Sequence, residues 1–246
     1  ETLMDQSTEF STLGYKSLVA KFIDANYRFC DFTQKNSDDR VVIFRHDIDF
    51  STQAARDLAN LEAELGVTST YFFLIRSPFY NIYEPLAHNH IREIHSLGHR
   101  IGLHFDASLY IDNFSCLDFA ATEECEIFEK MVGVRPAIIS FHRPTKSLLG
   151  LDKKVGGRDH TYNKRFFTDF GYVSDSRGEW RFGPPEKHQA FTAGKGMQVL
   201  THPIWWTTEG QTASEKITNF IAESLEQLSQ NVKTNCKVQF NEDPDA

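Results

Sequence analysis

Hydrophobic and polar positions along the chain form two kinds of segment, short apolar runs and longer stretches with a helical period. The first long stretch, residues 11–27, has apolar residues at positions 15, 18, 19, 22 and 23, the spacing of one helix face. The short runs are rich in β-branched and aromatic residues, which is typical of buried strands. From residue 41 onward the two kinds alternate, so the sequence predicts a parallel sheet covered by helices.

The alternating part contains six predicted strands and four predicted helices. The strands are 41–44, 68–75, 100–104, 137–141, 171–174 and 197–201. The helices are 52–65, 85–97, 114–131 and 212–228. The first three helices are followed by glycines at positions 66, 98 and 133, and glycine is the residue most often found just past a helix end. The polar stretch 145–164 is predicted to be a long loop over one face.

We expect one main domain. Residues 1–35 are predicted to be a helical segment packed on a barrel, 36–230 the barrel itself, and 231–246 a flexible tail. From the pattern alone, the parallel sheet is either closed as a barrel or open and doubly wound. No glycine-rich phosphate loop follows the first strand, which argues against a nucleotide-binding fold.

Composition and charge exclude some classes of partner. The net charge is −8 and there is no basic stripe, so a nucleic acid is not expected as a partner. No run approaches the ~18 apolar residues of a membrane span, and no signal peptide is visible at the start of the sequence. The 4 cysteines show no paired spacing, which suggests free thiols and a cytoplasmic location.

Two carboxylates follow the first strand of the predicted sheet, in the sequence His46-Asp47-Ile48-Asp49. Residues two positions apart point the same way in extended backbone, so Asp47 and Asp49 can share one site. One carboxylate can hold a cation while the other takes a proton from water bound to it. The alternative is a polar turn in which Asp49 caps the next helix.

Further polar residues follow the later strands. They are His104 and Asp106 after the third strand, His142 and Arg143 after the fourth, Asp175 after the fifth and His202 after the sixth. In a parallel barrel all these strand ends open on the same face, which is where active sites are built. The sequence therefore predicts one shared site made from at least five strand ends.

Five stretches of the chain resemble motifs of the polysaccharide deacetylase superfamily (carbohydrate esterase family four, the NodB-homology fold). They are Arg45-His46-Asp47-Ile48-Asp49, Thr70-Tyr71-Phe72-Phe73, Gly98-His99-Arg100-Ile101-Gly102-Leu103-His104, Phe141-His142-Arg143-Pro144 and Leu200-Thr201-His202-Pro203. The resemblance implies an α/β fold, a distorted (β/α)7 barrel of parallel strands with helices outside. It also implies a divalent metal, usually zinc, and removal of acetyl groups from N-acetylated sugars.

The resemblance assigns a role to each residue of the set. Asp47 would be the catalytic base, Arg143 the arginine that orients this base, and His202 the general acid that protonates the leaving amine. Asp49 and His104 would be metal ligands.

Two assignments stay open at this level. Asp175 corresponds roughly to the fourth motif, where it would hold the second ring nitrogen of His202 or pair with Arg143. The superfamily normally has a second histidine four positions after the first, and this chain has Ser108 there. The third metal ligand is then His142, whose imidazole suits zinc, or Asp106, on the same side of the extended segment as His104. Water as the third ligand, or no metal, is the remaining alternative.

Two further places hold candidates for substrate contacts. His160, Tyr162 and Asn163 lie in the predicted long loop, and long loops at barrel mouths often close over a substrate. One of Trp205 and Trp206, which closely follow the last strand, is a candidate for the pocket wall, because aromatic faces stack on sugar rings; the alternative is packing in the core or at the rim, where large aromatics are more often found.

The function predicted from these residues is a metal-dependent hydrolase that removes an N-acetyl or related acyl group from an amino sugar. The expected partner is the acetylated amino sugar, from a bacterial surface glycan or its precursor. Two alternatives stay open: a metal-independent hydrolase of another C–N bond on the same fold, and a catalytically inactive sugar-binding module. The sequence does not predict the oligomeric state.

Overall fold

A computed structural model of the chain describes residues 10–34, 36–110 and 113–236. The strands are β1 (Arg28–Phe29), β2 (Val41–Ile48), β3 (Thr70–Leu74), β4 (Arg100–Asp106), β5 (Ile138–His142), β6 (Asp159–His160), β7 (Gly171–Ser174) and β8 (Met197–Thr201). The helices are α1 (Thr12–Asp24), α2 (Thr52–Glu64), α3 (Pro85–Ser96), α4 (Phe114–Val132), α5 (Lys164–Phe167), α6 (Gln189–Thr192), α7 (Ile204–Thr207) and α8 (Ala213–Asn235).

The strands form one parallel sheet in the order β6-β5-β4-β3-β2-β8-β7, with β1 added beside β2. The seven strands of this path form a curled sheet, and helices surround it. The predicted distorted (β/α)7 barrel is therefore confirmed. In the described residues no ladder joins β6 to β7. The rings of Tyr162 and Tyr172 meet at this interrupted edge, with their centroids 6.1 Å apart.

The side chains of β2 point alternately into two separate apolar layers. Val41 and Ile43 pack inside the barrel with Phe72, whereas Val42 and Phe44 pack outside against the helices. Because both faces of the strand are covered, all eight residues of β2 are buried. The same alternation continues to the end of the strand, where the inward positions become polar and form the site described below.

The interior is too crowded for a side chain on β4 opposite Phe72. A Cβ atom added at Gly102 would lie 2.5 Å from the ring of Phe72. Glycine at this position therefore lets the large aromatic ring fill the barrel beneath the polar residues.

Local sequence signals set where the helices begin and end. The side chains of Ser51 and Asn113 accept hydrogen bonds from backbone N–H groups in the first turns of α2 and α4. Gly66, Gly98 and Gly133 have φ values of 71°, 94° and 76° just past α2, α3 and α4, as the sequence predicts. Among the described residues, no helix combines the length and apolar character needed to cross a bilayer.

Several predicted boundaries differ from the structure. Strand β2 runs to Ile48, past the predicted end at 44, and β4 runs to Asp106, past the predicted end at 104. The predicted loop 145–164 contains β6, which pairs with β5; a strand of two polar residues has no hydrophobic period by which sequence could show it. Helix α8 runs to Asn235, past the predicted end at 228, so the predicted tail from 231 begins inside a helix. A capping box formed by Thr212 and Glu215 stabilises the start of α8. The rest of the predicted tail, 237–246, and positions 1–9 of the predicted N-terminal segment lie outside the described residues.

Candidate metal centre and active site

A cavity of about 550 Å³ lies at the carboxyl ends of the strands. The predicted site residues that line it are Asp47, Asp49, His104, His142, Arg143 and His202. Asp175 lies just behind this wall, fully buried against His202. The structure therefore brings together the strand ends that the sequence predicts to share one site, because the parallel strands place all of them at the same face of the barrel.

Three of these side chains converge on one point. The Nε2 atom of His104 is 3.1 Å from the Oδ1 atom of Asp49, and the Nδ1 atom of His142 is 3.2 Å from the same oxygen. The ligand atoms of the three residues all lie within 4.8 Å of one another. Burial alone would raise the pKa of Asp49, but the two imidazoles beside its carboxylate hold that pKa well below its usual value.

The donor set fits a divalent metal ion. Two ligands that each bind one zinc ion at about 2.1 Å lie about 3.0–3.4 Å apart, depending on the coordination angle. The separations of 3.1 and 3.2 Å between the two imidazole nitrogens and Asp49 match this spacing. Two imidazoles and one carboxylate are also a known protein ligand set for zinc in hydrolases.

Ser140 fixes the tautomer of His104. Its hydroxyl donates to the Oδ1 atom of Asp47 over 2.9 Å and accepts from the Nη2 atom of Arg45 over 2.5 Å. The Nδ1 atom of His104 lies 3.0 Å from the same hydroxyl, whose one hydrogen is already used. Nδ1 must therefore carry a hydrogen, so in the neutral ring Nε2 is the nitrogen that is left to bind a metal ion.

Asp47 is held by Arg45. The guanidinium donates two hydrogen bonds to the carboxylate, from Nε over 3.0 Å and from Nη2 over 2.7 Å. Both side chains are buried. Burial would raise the pKa of Asp47, but the charge of Arg45 outweighs it and lowers that pKa below the usual value. Asp47 is consequently an ionised carboxylate fixed in one orientation, with its Oδ2 atom 3.7 Å from Nε2 of His104.

Arg143 does not contact Asp47 in the structure. Its guanidinium forms an ion pair with Asp106, and more than half of its side chain is exposed. The backbone of Arg143 has a φ of 51°, so the chain leaves the extended conformation there and the alternation of β5 no longer sets the direction of the side chain. The contact that the sequence predicts from Arg143 to the base comes from Arg45 instead.

Asp106, the alternative third ligand, is engaged elsewhere. Its Oδ1 atom accepts from the backbone N–H of Ser108 over 3.1 Å and from the hydroxyl of Ser108 over 2.6 Å. Its Oδ2 atom accepts from Arg143. The geometry thus favours His142 as the third ligand and gives Ser108 a role in fixing Asp106.

His202 lines the same cavity and directly follows β8. Its Nδ1 atom is 2.6 Å from the Oδ1 atom of Asp175, and its Nε2 atom is 3.8 Å from the Oδ2 atom of Asp49. The Oδ2 atom of Asp175 accepts from the backbone N–H of His202 and from Nε1 of Trp206 over 2.9 and 2.8 Å. Burial would lower the pKa of His202, but the charge of Asp175 and its hydrogen bond raise that pKa to about 9. The sequence leaves two partners open for Asp175, His202 and Arg143, and in the structure its partner is His202.

Aromatic rings form part of the cavity wall. Phe50, Tyr162 and Trp205 line it, so Tyr162 and Trp205 lie where substrate contacts are expected. His160 and Asn163 do not lie on this wall. The Nε2 atom of His160 lies 3.1 Å from the carbonyl oxygen of Lys153, and Asn163 donates to Asp152, so both hold the loop itself.

Sequence reasoning missed Arg45 and Ser140. A signal was present for both, since Arg45 lies two positions before Asp47 and Ser140 two positions before His142, on the inward side of their strands. What the sequence does not contain is the register. The pairing of His104 with Ser140 across β4 and β5 puts these two side chains next to each other.

No protein-family model matches the chain, and no curated protein matches it. Solved structures do align with it. A family 4 carbohydrate esterase from Bacillus anthracis shares 17% identity, covers 87% of this chain and 86% of its own, and gives a TM-score of 0.44. The peptidoglycan deacetylase PdaC from Bacillus subtilis shares 13% identity over 84% of this chain and 98% of its own, with a TM-score of 0.45.

A third aligned structure is described as a pseudoenzyme of carbohydrate esterase family four from Bacillus anthracis. It shares 11% identity, covers 78% of this chain and 62% of its own, and gives a TM-score of 0.40. Two of these aligned structures are described as members of carbohydrate esterase family four, and one of the two is described as a pseudoenzyme.

Proposed function

We propose that the chain is a metal-dependent hydrolase that removes an N-acetyl or related acyl group from an amino sugar. The observation that carries the proposal is the placement of three different groups around one cavity. Asp49, His104 and His142 converge as a ligand set, while Asp47 and His202 face the same space as a carboxylate and an imidazole. Amide hydrolysis needs these parts: an activated water, a base, and an acid for the leaving nitrogen.

Asp49, His104 and His142 would hold the metal, and zinc is the ion that two imidazoles and a carboxylate favour. When bound, such an ion lowers the pKa of its water to about 7 and polarises the acyl carbonyl. The hydrogen bond from Nδ1 of His104 to Ser140 keeps the Nε2 lone pair directed at the site.

Asp47 would accept the proton of the attacking water. The two hydrogen bonds from Arg45 keep the carboxylate of Asp47 ionised and restrict its rotation. A carboxylate stabilised in this way is a weak base toward ordinary water. It is suited to a water molecule that has already been made acidic.

His202 would donate a proton to the leaving amine. Asp175 accepts the Nδ1 hydrogen of the ring and stabilises the imidazolium form, so Nε2 is presented to the cavity as a proton donor. The two proton-transfer groups come from neighbouring parts of the sheet, since Asp47 lies in β2 and His202 directly follows the adjacent strand β8. The wall of Phe50, Tyr162 and Trp205 offers faces on which a sugar ring can stack.

Release of acetate from N-acetylated sugars tests the proposal. We expect the wild-type protein to release acetate from an N-acetylglucosamine oligomer, to lose this activity with a chelator, and to regain it with zinc. Asp47→Asn keeps the size of the side chain but removes the base, so kcat should fall by about 10²–10⁴. Glu179→Gln, an exposed carboxylate that is not on the cavity wall, serves as the matched control.

The outcomes separate the three candidate functions. Activity that survives removal of all metal would support a metal-independent hydrolase on the same fold. If the wild type and Asp47→Asn bind the sugar equally well and neither protein turns it over, the result would support a sugar-binding module.

A further inference from the structure

Arg177 lies on the short turn that follows Asp175. Its backbone has a φ of 68° and a ψ of 19°, the left-handed conformation that side chains other than glycine rarely adopt. The next residue, Gly178, is also left-handed, with a φ of 74°. A position with this backbone is most easily filled by glycine or asparagine, so an arginine there is unfavourable for the fold.

The turn is held in place by its surroundings. The backbone N–H of Gly178 donates to the carbonyl oxygen of Asp175 over 2.9 Å. A Cβ atom added at Gly178 would lie 2.9 Å from the Cβ atom of Ala213 and 3.3 Å from the ring of Trp205. The turn is therefore packed against the start of α8 and against the cavity wall. Its first residue, Asp175, is the one that orients His202.

The guanidinium of Arg177 has open donors at the cavity. Arg177 lines the cavity and is exposed. Within the described part of the chain it has no ion pair and no side-chain hydrogen bond, whereas Arg143, the other arginine of the wall, is paired with Asp106. A guanidinium with free donors in a fixed fork matches the oxygens of a phosphate or a carboxylate.

The carboxylates on the cavity floor do not oppose an anion at its rim. The charge of Asp47 is matched by the buried guanidinium of Arg45, and the carboxylate of Asp49 already contacts ring nitrogens of His104 and His142. An acidic substrate group bound near Arg177 would thus meet carboxylates that already have partners inside the site.

We infer that the acyl sugar of the proposed function carries an anionic group, a phosphate or a carboxylate, and that Arg177 binds this group at the cavity rim. The inference rests on the proposed function for the identity of the sugar. It makes Arg177 a specificity residue, which acts on substrate binding, and explains why a backbone position suited to glycine holds an arginine.

Binding of three sugars to the full chain tests the inference without requiring turnover. The probes are N-acetylglucosamine, N-acetylglucosamine 1-phosphate and N-acetylmuramic acid, which carry no charge, a phosphate and a carboxylate. By titration calorimetry we expect the wild-type protein to bind at least one anionic sugar about tenfold more tightly than the neutral one. Which anionic sugar is preferred identifies the group.

Two variants and a control make the test specific to Arg177. Arg177→Gln should lose the preference for the anionic sugar and bind the neutral sugar as before. Arg177→Gly should lose it equally while melting no lower than the wild type, because glycine suits the left-handed backbone. Arg181→Gln removes a nearby exposed arginine that is not on the cavity wall and should keep the preference.

Failure of the inference can be told apart from failure of the proposed function. Equal binding of all three sugars by the wild type, or a preference that survives in both Arg177 variants, overturns the inference even if N-acetylated sugars are hydrolysed. Preferential binding that depends on Arg177, without hydrolysis of any of the three sugars, supports the inference and counts against the proposed function.

Discussion

At the scale of single residues, Ser140 connects the proposed base, Asp47, to a proposed metal ligand, His104. Its hydroxyl contacts Asp47, Arg45 and His104 at 2.9, 2.5 and 3.0 Å. One small side chain therefore orients the proposed base and sets the tautomer of a proposed metal ligand. Ser140 is fully buried, so bulk solvent does not reach these contacts.

Ser140→Ala should weaken zinc binding by about 10–100-fold, the usual effect of removing a partner behind a metal-ligating histidine. It should also lower the free energy of unfolding by about 1–3 kcal/mol, because a buried hydrogen-bonding group is left unmatched. Zinc titration and urea unfolding measure the two effects. Ser174→Ala is the control, because among the described residues the hydroxyl of Ser174 forms hydrogen bonds with Ser176 alone. Equal zinc affinity in both variants would show that Ser140 does not support the metal site.

The residue types of the site were more predictable than their contacts. Asp47 and Asp49 could be paired from sequence because extended backbone repeats every two residues. Arg143 could not be placed, since its left-handed backbone ends that regularity one residue after β5. Its ion pair with Asp106 depends on how β4 and β5 align, which no local pattern reports.

At the scale of elements, a buried carboxylate ties α2 to the sheet. The Oε1 atom of Glu62 accepts from the hydroxyls of Tyr15 and Ser69, both at 2.6 Å, and lies 3.0 Å from Nε2 of His46. Its Oε2 atom accepts from the hydroxyl of Tyr71 at 2.6 Å. These partners come from α1, β2 and the β3 segment. His46 lies on the outward side of β2, back to back with the inward Asp47, so the network supports the strand that carries the proposed base.

This network predicts how stability changes with pH. Burial opposes ionisation of Glu62, but the attraction of His46 and His99 and the hydrogen bonds from His46 and Ser69 outweigh it and lower the pKa of Glu62 to about 2. A pKa that is lower in the folded than in the unfolded chain stabilises the fold above the unfolded value of 4.5. That contribution is lost as the pH falls from about 4.5 toward about 2.

Glu62→Gln should therefore be clearly less stable than the wild type at pH 7 and approach it as the pH falls to 3. Urea unfolding at pH 7, 5, 4 and 3 measures the difference. Glu64→Gln, an exposed residue of the same helix, is the matched control and should show only a small and nearly constant difference. A constant large gap between Glu62→Gln and the wild type across this range would show that the charge of Glu62 is not what stabilises the network.

At the scale of the whole molecule, a side chain of β8 contacts the segment that follows β6, two parts of the sheet that no ladder joins within the described residues. Gln198 of β8 is fully buried and reaches across the barrel. Its Nε2 atom donates to the carbonyl oxygens of Thr161 and Phe166 over 3.0 and 2.8 Å, and its Oε1 atom accepts from Arg45 over 3.4 Å. One amide thus joins β8 to the segment that follows β6 across the barrel interior.

Gln198→Leu keeps the volume of the side chain but leaves two buried carbonyls without this donor. We expect a loss of unfolding free energy of about 2–6 kcal/mol, roughly 1–3 kcal/mol for each of the two unmatched carbonyls. Amide hydrogen exchange should also become faster in 159–167, the segment that Gln198 holds. Gln53→Leu on the exposed face of α2 is the control, and unchanged exchange in 159–167 would contradict this role of Gln198.

The fold as a whole was largely predictable, because each long strand and helix carries its own hydrophobic period. What the sequence did not indicate are the shortest elements, β1, β6 and the single-turn helices α5, α6 and α7, which are too short to show a period. Their positions follow from tertiary contacts, such as the pairing of β6 with β5.

The central claim is that Asp49, His104 and His142 form a metal site, and zinc affinity of the metal-stripped protein tests it most directly. We expect one zinc ion per chain in the wild type and a loss of at least about tenfold in affinity in His142→Ala. Asp106→Asn should bind zinc within about threefold of the wild type, since the structure commits that carboxylate to Ser108 and Arg143. Wild-type protein that binds no zinc, or full affinity in His142→Ala with a loss in Asp106→Asn, would contradict the account.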